Sequence, residues 1–149
     1  MMRGELPCRH QQDKRLGIPN ARDQRSRHDR QPMTPRDIVE EWVRRFNAAD
    51  ADALAELYHD DAVNHQVVQE PVVGKAAIRE MFRREFKAAS MTCIPEVIHE
   101  AGNVTILEWK DPLGLRGCGF FTVEGDRIVF QRGYWDKLSF LKKHGLPIA

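Results

Sequence analysis

Apolar positions recur at helical spacing soon after Met33. Ile38, Val39, Trp42, Val43 and Phe46 fall on one side of a 3.6-residue helix, with Glu40, Glu41, Arg44 and Arg45 on the other. Thr34 is placed to cap this helix, Pro35 suits its first position, and Asp37 can close a capping box. The pattern ends near Asn47. Asp50 or Asp52 then caps a second, short helix running through Leu54, Leu57 and Tyr58. Residues 62–68 read as a strand. Gly74 starts a third helix, with Ile78, Met81, Phe82 and Phe86 on its apolar side.

Beyond residue 90 the period changes. Segments 92–100, 103–111, 118–124 and 127–136 read as strands, separated by the turn residues Ala101-Gly102-Asn103, Pro112-Leu113-Gly114 and Glu124-Gly125-Asp126. Pro95 lacks a ladder donor, which moves its strand toward a sheet edge or a bulge. A short helix over 137–143 closes the chain and stops at Gly145. Three helices and an early strand, followed by antiparallel strands, predict an α+β domain with helices on one face of a curved sheet. A sheet wrapped around a helix leaves a mouth that can hold a small molecule.

Residues 1–32 differ in kind. They carry eight Lys/Arg and four Asp/Glu, with no apolar periodicity and no Phe, Trp or Tyr. Such a segment cannot offset its ordering entropy, so it reads as a disordered basic extension, with the folded domain at 33–149. The whole chain of 149 residues, 42% hydrophobic and 30% charged, suits one ordinary core. Its net charge of +1 offers no global field for nucleic acid or an anionic membrane. No apolar run approaches the roughly 18 residues of a bilayer span, and no signal-peptide pattern opens the chain. A cytoplasmic protein is expected.

Cys8, Cys93 and Cys118 are odd in number and far apart, which predicts neither a disulfide framework nor a zinc site. Cys118, between Gly117 and Gly119, reads as a packed strand thiol. His59, Asp60, Asp61 and His65 form the one local cluster of ligating types, but without an i,i+4 His pair. No metal is expected there, and Asp60 and Asp61 read as the turn after the second helix.

Alternation sorts each strand into two faces. Val104, Ile106, Glu108 and Lys110 oppose Thr105, Leu107, Trp109 and Asp111. Ile128, Phe130, Arg132 and Tyr134 oppose Val129, Gln131, Gly133 and Trp135. His65 goes with Val63 and Val67, against Asn64 and Gln66. Alternation alone does not say which set faces inward.

The stretches FNAADADALAELY, HDDAVNHQ, VVGKAAIREMF and GYWD, in this order and spacing, resemble the SnoaL-like branch of the nuclear transport factor 2-like (NTF2-like) superfamily over residues 34–149. The resemblance implies an NTF2-like cone: about three N-terminal helices on a curved, mostly antiparallel sheet enclosing a pocket. It also implies work without a cofactor and a homodimer paired through outer sheet faces, for which Phe120, Phe130 and Tyr134 are candidates. The superfamily includes polyketide cyclases, ketosteroid isomerases, limonene-epoxide hydrolases, scytalone dehydratase and non-catalytic modules, so fold does not dictate reaction.

The epoxide hydrolases of this superfamily use an Arg-x-Asp on one strand and a second Asp on the last. Asp111 matches the first Asp, but Trp109 stands at the Arg and Gly133 at the second Asp. Asn64 and Gln66 stand near the water-holding Tyr and Asn. One carboxylate cannot be both acid and base, so epoxide hydrolysis is not expected. The same correspondence makes Leu107, Trp109 and Asp111 cavity-lining, with Gln131 and Trp135 opposite. A desolvated Asp111 would be poised as a general base beside a carbonyl, with Gln131, Asn64 or the Trp109 N–H holding the oxyanion.

Alternatives stay open at several of these residues. Asp111 before Pro112 also suits a turn. Trp109 and Trp135 also suit simple packing. Many SnoaL-like chains use a His near His65 in the cavity, whereas the hydrolase register turns Asn64 and Gln66 inward; only a bulge reconciles the two. Two functions follow. One is a cofactor-independent cyclase or isomerase acting on an apolar carbonyl compound, with Asp111 and His65 as catalytic candidates. The other is a non-catalytic ligand-binding or dimerisation module. The expected partners are a small apolar ligand and a second copy of the chain, not nucleic acid or a membrane.

Overall fold

The computed structural model describes residues 32–148. Apart from Pro32, the extension expected over residues 1–32 lies outside the described residues.

Helix α1 (Pro35–Asn47) begins at the expected capping box: Thr34 Oγ1 accepts from Asp37 N at 3.2 Å, and Asp37 Oδ2 accepts from Thr34 N at 2.9 Å. These bonds from Thr34 hold the Asp37 carboxyl below its ordinary range. The buried stripe is Ile38, Val39, Trp42 and Val43. Helix α2 (Ala51–Ala55) is capped by Asp50, whose Oδ1 accepts from Ala53 N at 3.0 Å. It stops earlier than the pattern predicts. The Leu57 carbonyl is taken by Ile128 N at 2.8 Å, so Tyr58 is drawn into a strand instead of continuing the helix. That strand, β1 (Tyr58–Gln66), contains Asp60 and Asp61, which are exposed strand residues rather than a turn.

A two-residue strand, β2 (Val72–Val73), precedes helix α3 (Lys75–Ala88), which starts at Gly74 with φ 93°. Strands β3 (Ile94–Ala101), β4 (Val104–Lys110), β5 (Arg116–Glu124) and β6 (Arg127–Trp135) form an antiparallel meander. Asp136 leaves the last strand and caps helix α4 (Lys137–Lys143), accepting from Leu138 N at 3.2 Å. The sheet order is β2-β1-β6-β5-β4-β3, with β1 parallel to β6. Pro95 therefore sits on an edge strand, and the β3–β4 register shifts between Pro95 and Val97, so edge and bulge occur together. The architecture is a curved open sheet with helices packed on it, the α+β cone expected from the chain.

One irregularity re-aims the inner face. On β1, Tyr58, Ala62 and Asn64 are all buried, as alternation requires of every second residue, although the register against β6 shifts between Tyr58 and Val63. On β6, Thr122 pairs with Phe130 while Val123 pairs with Ile128, so Val129 is an extra residue. Ile128 and Gln131 are consequently both buried, where strict alternation would put them on opposite faces. The core joins α1 and α3 to this face. The Trp42 ring meets Phe121 edge-on at 5.2 Å and stacks on Phe46 at 4.9 Å. Asn47 clamps the strand that follows α3, bonding Cys93 N at 2.7 Å and Cys93 O at 2.9 Å. Among the described residues, no helix is long and apolar enough to cross a membrane.

Candidate functional site

A cavity of about 300 Å³ lies between α1, α3, the inner sheet face and α4. Its walls are mostly apolar and aromatic, among them Trp42, Phe82, Phe121, Trp109, Trp135 and Phe140. Leu107, Trp109, Asp111, Gln131, Trp135 and Gln66 all line it, so the structure brings together six of the eight residues singled out from the sequence. Asn64 lies just behind the wall, fully buried. His65 does not join them. It pairs through its Cα with Arg132 and alternates to the face opposite Asn64 and Gln66, outside the cavity lining. The bulge in β1 falls before Val63, so it does not rotate His65 inward.

A polar chain runs behind the apolar wall. Trp42 Nε1 donates to Tyr58 Oη at 2.8 Å, and Tyr58 Oη donates to Gln131 Oε1. Asn64 Nδ2 donates to the same Gln131 oxygen at 3.1 Å, and Asn64 Oδ1 accepts from Gln66 Nε2 at 2.8 Å. Gln66 Oε1 accepts from Trp135 Nε1 at 2.9 Å. With its oxygen doubly occupied, Gln131 has its amide N–H₂ left over toward the cavity it lines. Burial keeps the Tyr58 phenol protonated far above its ordinary range, so it stays a donor. Tyr58 was hidden from the sequence because its helical spacing concealed its place in a strand.

Asp111 is both a turn residue and a wall residue. Its Oδ1 accepts from Leu113 N at 2.9 Å and Leu115 N at 2.8 Å, closing the β4–β5 turn. Its Oδ2 meets His144 Nε2 at 3.0 Å. The two side chains are 7% and 11% exposed, which makes this a sequestered carboxylate–imidazole pair. His144 follows α4, one turn after Phe140, and the two rings lie 4.4 Å apart. Trp135 meets Phe140 at 5.3 Å, so aromatic contacts seat the helix that carries His144. The sequence reading missed His144; its i,i+4 spacing from Phe140 is the one local sign that both share a face.

Glu85 was missed as well. It lines the cavity from α3, and burial raises its carboxyl pKa, only partly offset by a hydrogen bond from Gln69 and by the charge of Arg84. Cys93 also lines the wall, with its thiol pushed up to about 12 by burial. Burial and the nearby Glu108 charge likewise raise Cys118, so neither thiol is an activated nucleophile. Among the described residues, no three His, Cys, Asp or Glu side chains gather as a metal site.

Two glycines shape the site by absence. A Cβ at Gly117 would lie 2.5 Å from the Trp109 ring across the β4–β5 ladder. A Cβ at Gly133 would lie 1.9 Å from Gln66 Oε1 across β1–β6. Trp109 and Gln66 occupy the space of their neighbours' side chains. At position 133 a side chain could enter only by displacing the Gln66 amide, which bonds Trp135 and Asn64.

No curated protein sequence matches the chain. Solved structures do resemble it. A hypothetical protein with a ketosteroid isomerase-like fold from Catenulispora acidiphila, in complex with trimethylamine, is 20% identical. The match covers 77% of this chain and 96% of that one, with a TM-score of 0.67. A candidate polyketide cyclase from Sinorhizobium meliloti is 24% identical over 66% of this chain and 94% of its own, at TM-score 0.61. An epoxide hydrolase/cyclase-like enzyme of pyran ring formation in the polyether salinomycin is 23% identical over 70% and 92%, at 0.62. At such identities these likenesses establish the fold. The family model of the SnoaL-like domain matches residues 39–131, from α1 through Gln131 on β6. The chain belongs to the SnoaL-like domain family and carries the NTF2-like fold.

Proposed function

We propose that this protein is an acid–base enzyme of the cyclase or isomerase type, removing a proton from the carbon beside the carbonyl of a flat apolar compound. The observation that carries this reading is the sequestered Asp111–His144 pair in the wall of an apolar cavity. With Asp111 accepting from Nε2–H, the imidazole lone pair sits on Nδ1, which bonds to no described residue. In this reading His144 takes the proton. Asp111, the base expected from the sequence, orients His144 and balances the imidazolium that forms. The electrons of the broken C–H bond become the enolate. Gln131 N–H and Trp109 N–H are the donors for its oxygen. Returning the proton to another carbon completes an isomerisation; attack of the enolate carbon on a second carbonyl closes a ring, and the imidazolium proton passes to the alkoxide left by the broken C=O π bond.

A non-catalytic carrier is the second reading. It is favoured by the turn itself, because the bonds to Leu113 and Leu115 explain a buried Asp111 without chemistry. The test uses 2-tetralone, a flat ketone with an acidic α-hydrogen, in deuterated buffer. The enzyme reading expects the wild type to accelerate α-proton exchange in proton NMR, and Asp111→Asn and His144→Gln to return it to background while still binding. Binding to the wild type without accelerated exchange would establish the carrier instead.

Pairing of two copies through the outer sheet face is part of the same proposal. There the Arg132 guanidinium lies over Phe120 at 5.0 Å and Tyr134 at 5.7 Å, and Tyr134 is exposed.

A further inference from the structure

Helix α3 buries one stripe, Ile78, Met81 and Phe82, and the next position on that stripe is Glu85. An apolar side chain would complete the pattern. A carboxyl stands there instead, and it faces the cavity together with Gln69. The other acidic groups around this helix have cationic partners. Glu80 and Asp52 pair with Arg83, and Glu56 with Arg79. Among the described residues, Glu85 forms no ion pair; Gln69 is its polar neighbour. A half-buried, unpaired carboxyl costs stability unless it serves something in the cavity.

We propose that Glu85 is a hydrogen-bonding contact for a ligand oxygen, selecting un-ionised carbonyl, enol or phenol ligands over carboxylates. This rests on the ligand-binding reading above. A carboxyl in this position keeps its proton to higher pH than an exposed glutamate, so it donates to an oxygen as a neutral acid. Once ionised, it repels an anionic ligand. The groups that bear on it are Arg84 on its own helix, the Tyr58 hydroxyl of β1, and the cavity-lining Asp111, His144, Lys137 and Cys93. Asp111 and His144 are engaged with each other, and the Cys93 thiol keeps its proton.

The experiment is calorimetric titration of the full chain with 2-acetonaphthone, whose oxygen can only accept, and with 2-naphthoate, at about pH 5 and about pH 8. The wild type is expected to bind 2-acetonaphthone about fivefold tighter at the lower pH, the scale of one hydrogen bond. It is expected to reject 2-naphthoate at the higher pH. Glu85→Gln keeps a donor but cannot ionise. It is expected to bind 2-acetonaphthone with little pH dependence and to accept 2-naphthoate about tenfold better. Glu85→Asp is the second variant, which withdraws the carboxyl by one methylene and should weaken 2-acetonaphthone binding while retaining its pH dependence. If Glu85→Gln reproduces the wild-type pH profile and the wild-type rejection of naphthoate, the inference is overturned and the cavity reading survives. If 2-acetonaphthone does not bind the wild type at either pH, the cavity reading fails and the inference falls with it.

Discussion

Asp111 and His144 are 33 residues apart in sequence and meet at 3.0 Å, Oδ2 to Nε2, on the cavity wall. Each arrives by its own device. Asp111 is set by the β4–β5 turn that bonds its other oxygen, and His144 by a helix seated through Phe140 on Trp135. Asp111→Asn keeps an oxygen for the turn but offers an N–H toward Nε2, which forces the other tautomer. The expected outcome is a fall of about 10²- to 10⁴-fold in exchange of 2-tetralone, with little loss of stability. Asp111→Ala, by contrast, leaves the buried Leu115 N–H and the more exposed Leu113 N–H without their acceptor and should cost about 1–3 kcal/mol in urea unfolding.

Tyr58 is the hinge of the polar chain, accepting from Trp42 and donating to Gln131. Tyr58→Phe fills the same space but leaves the Trp42 N–H without its acceptor and Gln131 Oε1 with Asn64 as its one donor. A loss of about 1–3 kcal/mol is expected by chemical denaturation. Ligand affinity should fall with it, because the Gln131 amide is held by one bond in place of two.

The contact between Gly133 and Gln66 predicts a non-additive pair. Gly133→Asp supplies the carboxylate of a hydrolase on paper, yet its Cβ would fall 1.9 Å from Gln66 Oε1. The single variant should lose about 1–3 kcal/mol through overpacking. Adding Gln66→Ala should recover part of that loss, and thermal melts of the four proteins of this cycle would show the coupling.

Glu85 ties stability to pH. Its carboxyl pKa is raised in the folded protein above the ordinary 4.5, so the native state holds this proton more tightly than the unfolded chain. Its contribution is therefore fully present below the ordinary value and declines as pH rises through the raised one. Urea unfolding across that window should show the wild type losing stability relative to Glu85→Gln as pH increases. Parallel curves would exclude the effect.

The outer face makes a separate prediction. Phe120→Glu places a charge beside Arg132 on the face proposed to join two copies. Sedimentation velocity is expected to show a dimer for the wild type and a monomer for the variant, with circular dichroism unchanged.

Much of this was legible in the chain. The Thr34 cap, the stripes of α1 and α3 and the meander of β3 to β6 follow from period and local hydrogen bonding, which a short window contains. The same window assigned Leu107, Trp109 and Asp111 to one face, because successive strand residues must alternate. It failed where a distant partner decides. Tyr58 continues a helical pattern, but the Leu57 carbonyl bonds β6, and a parallel β1–β6 pairing has no signature in either strand alone.

The sequence by itself determined the class of fold and the extent of most elements, since these rest on side-chain period and turn chemistry; that Leu107, Trp109 and Asp111 face inward came through the family resemblance. Tertiary structure alone decided that His65 turns away, that Ile128 and Gln131 share a face, and that His144 and Glu85 join the site. A bulge shifts every later side chain by one position, and its place is set by what packs across the sheet. The meeting of Asp111 with His144 likewise depends on where α4 docks, a contact whose energy belongs to residues far apart in the chain.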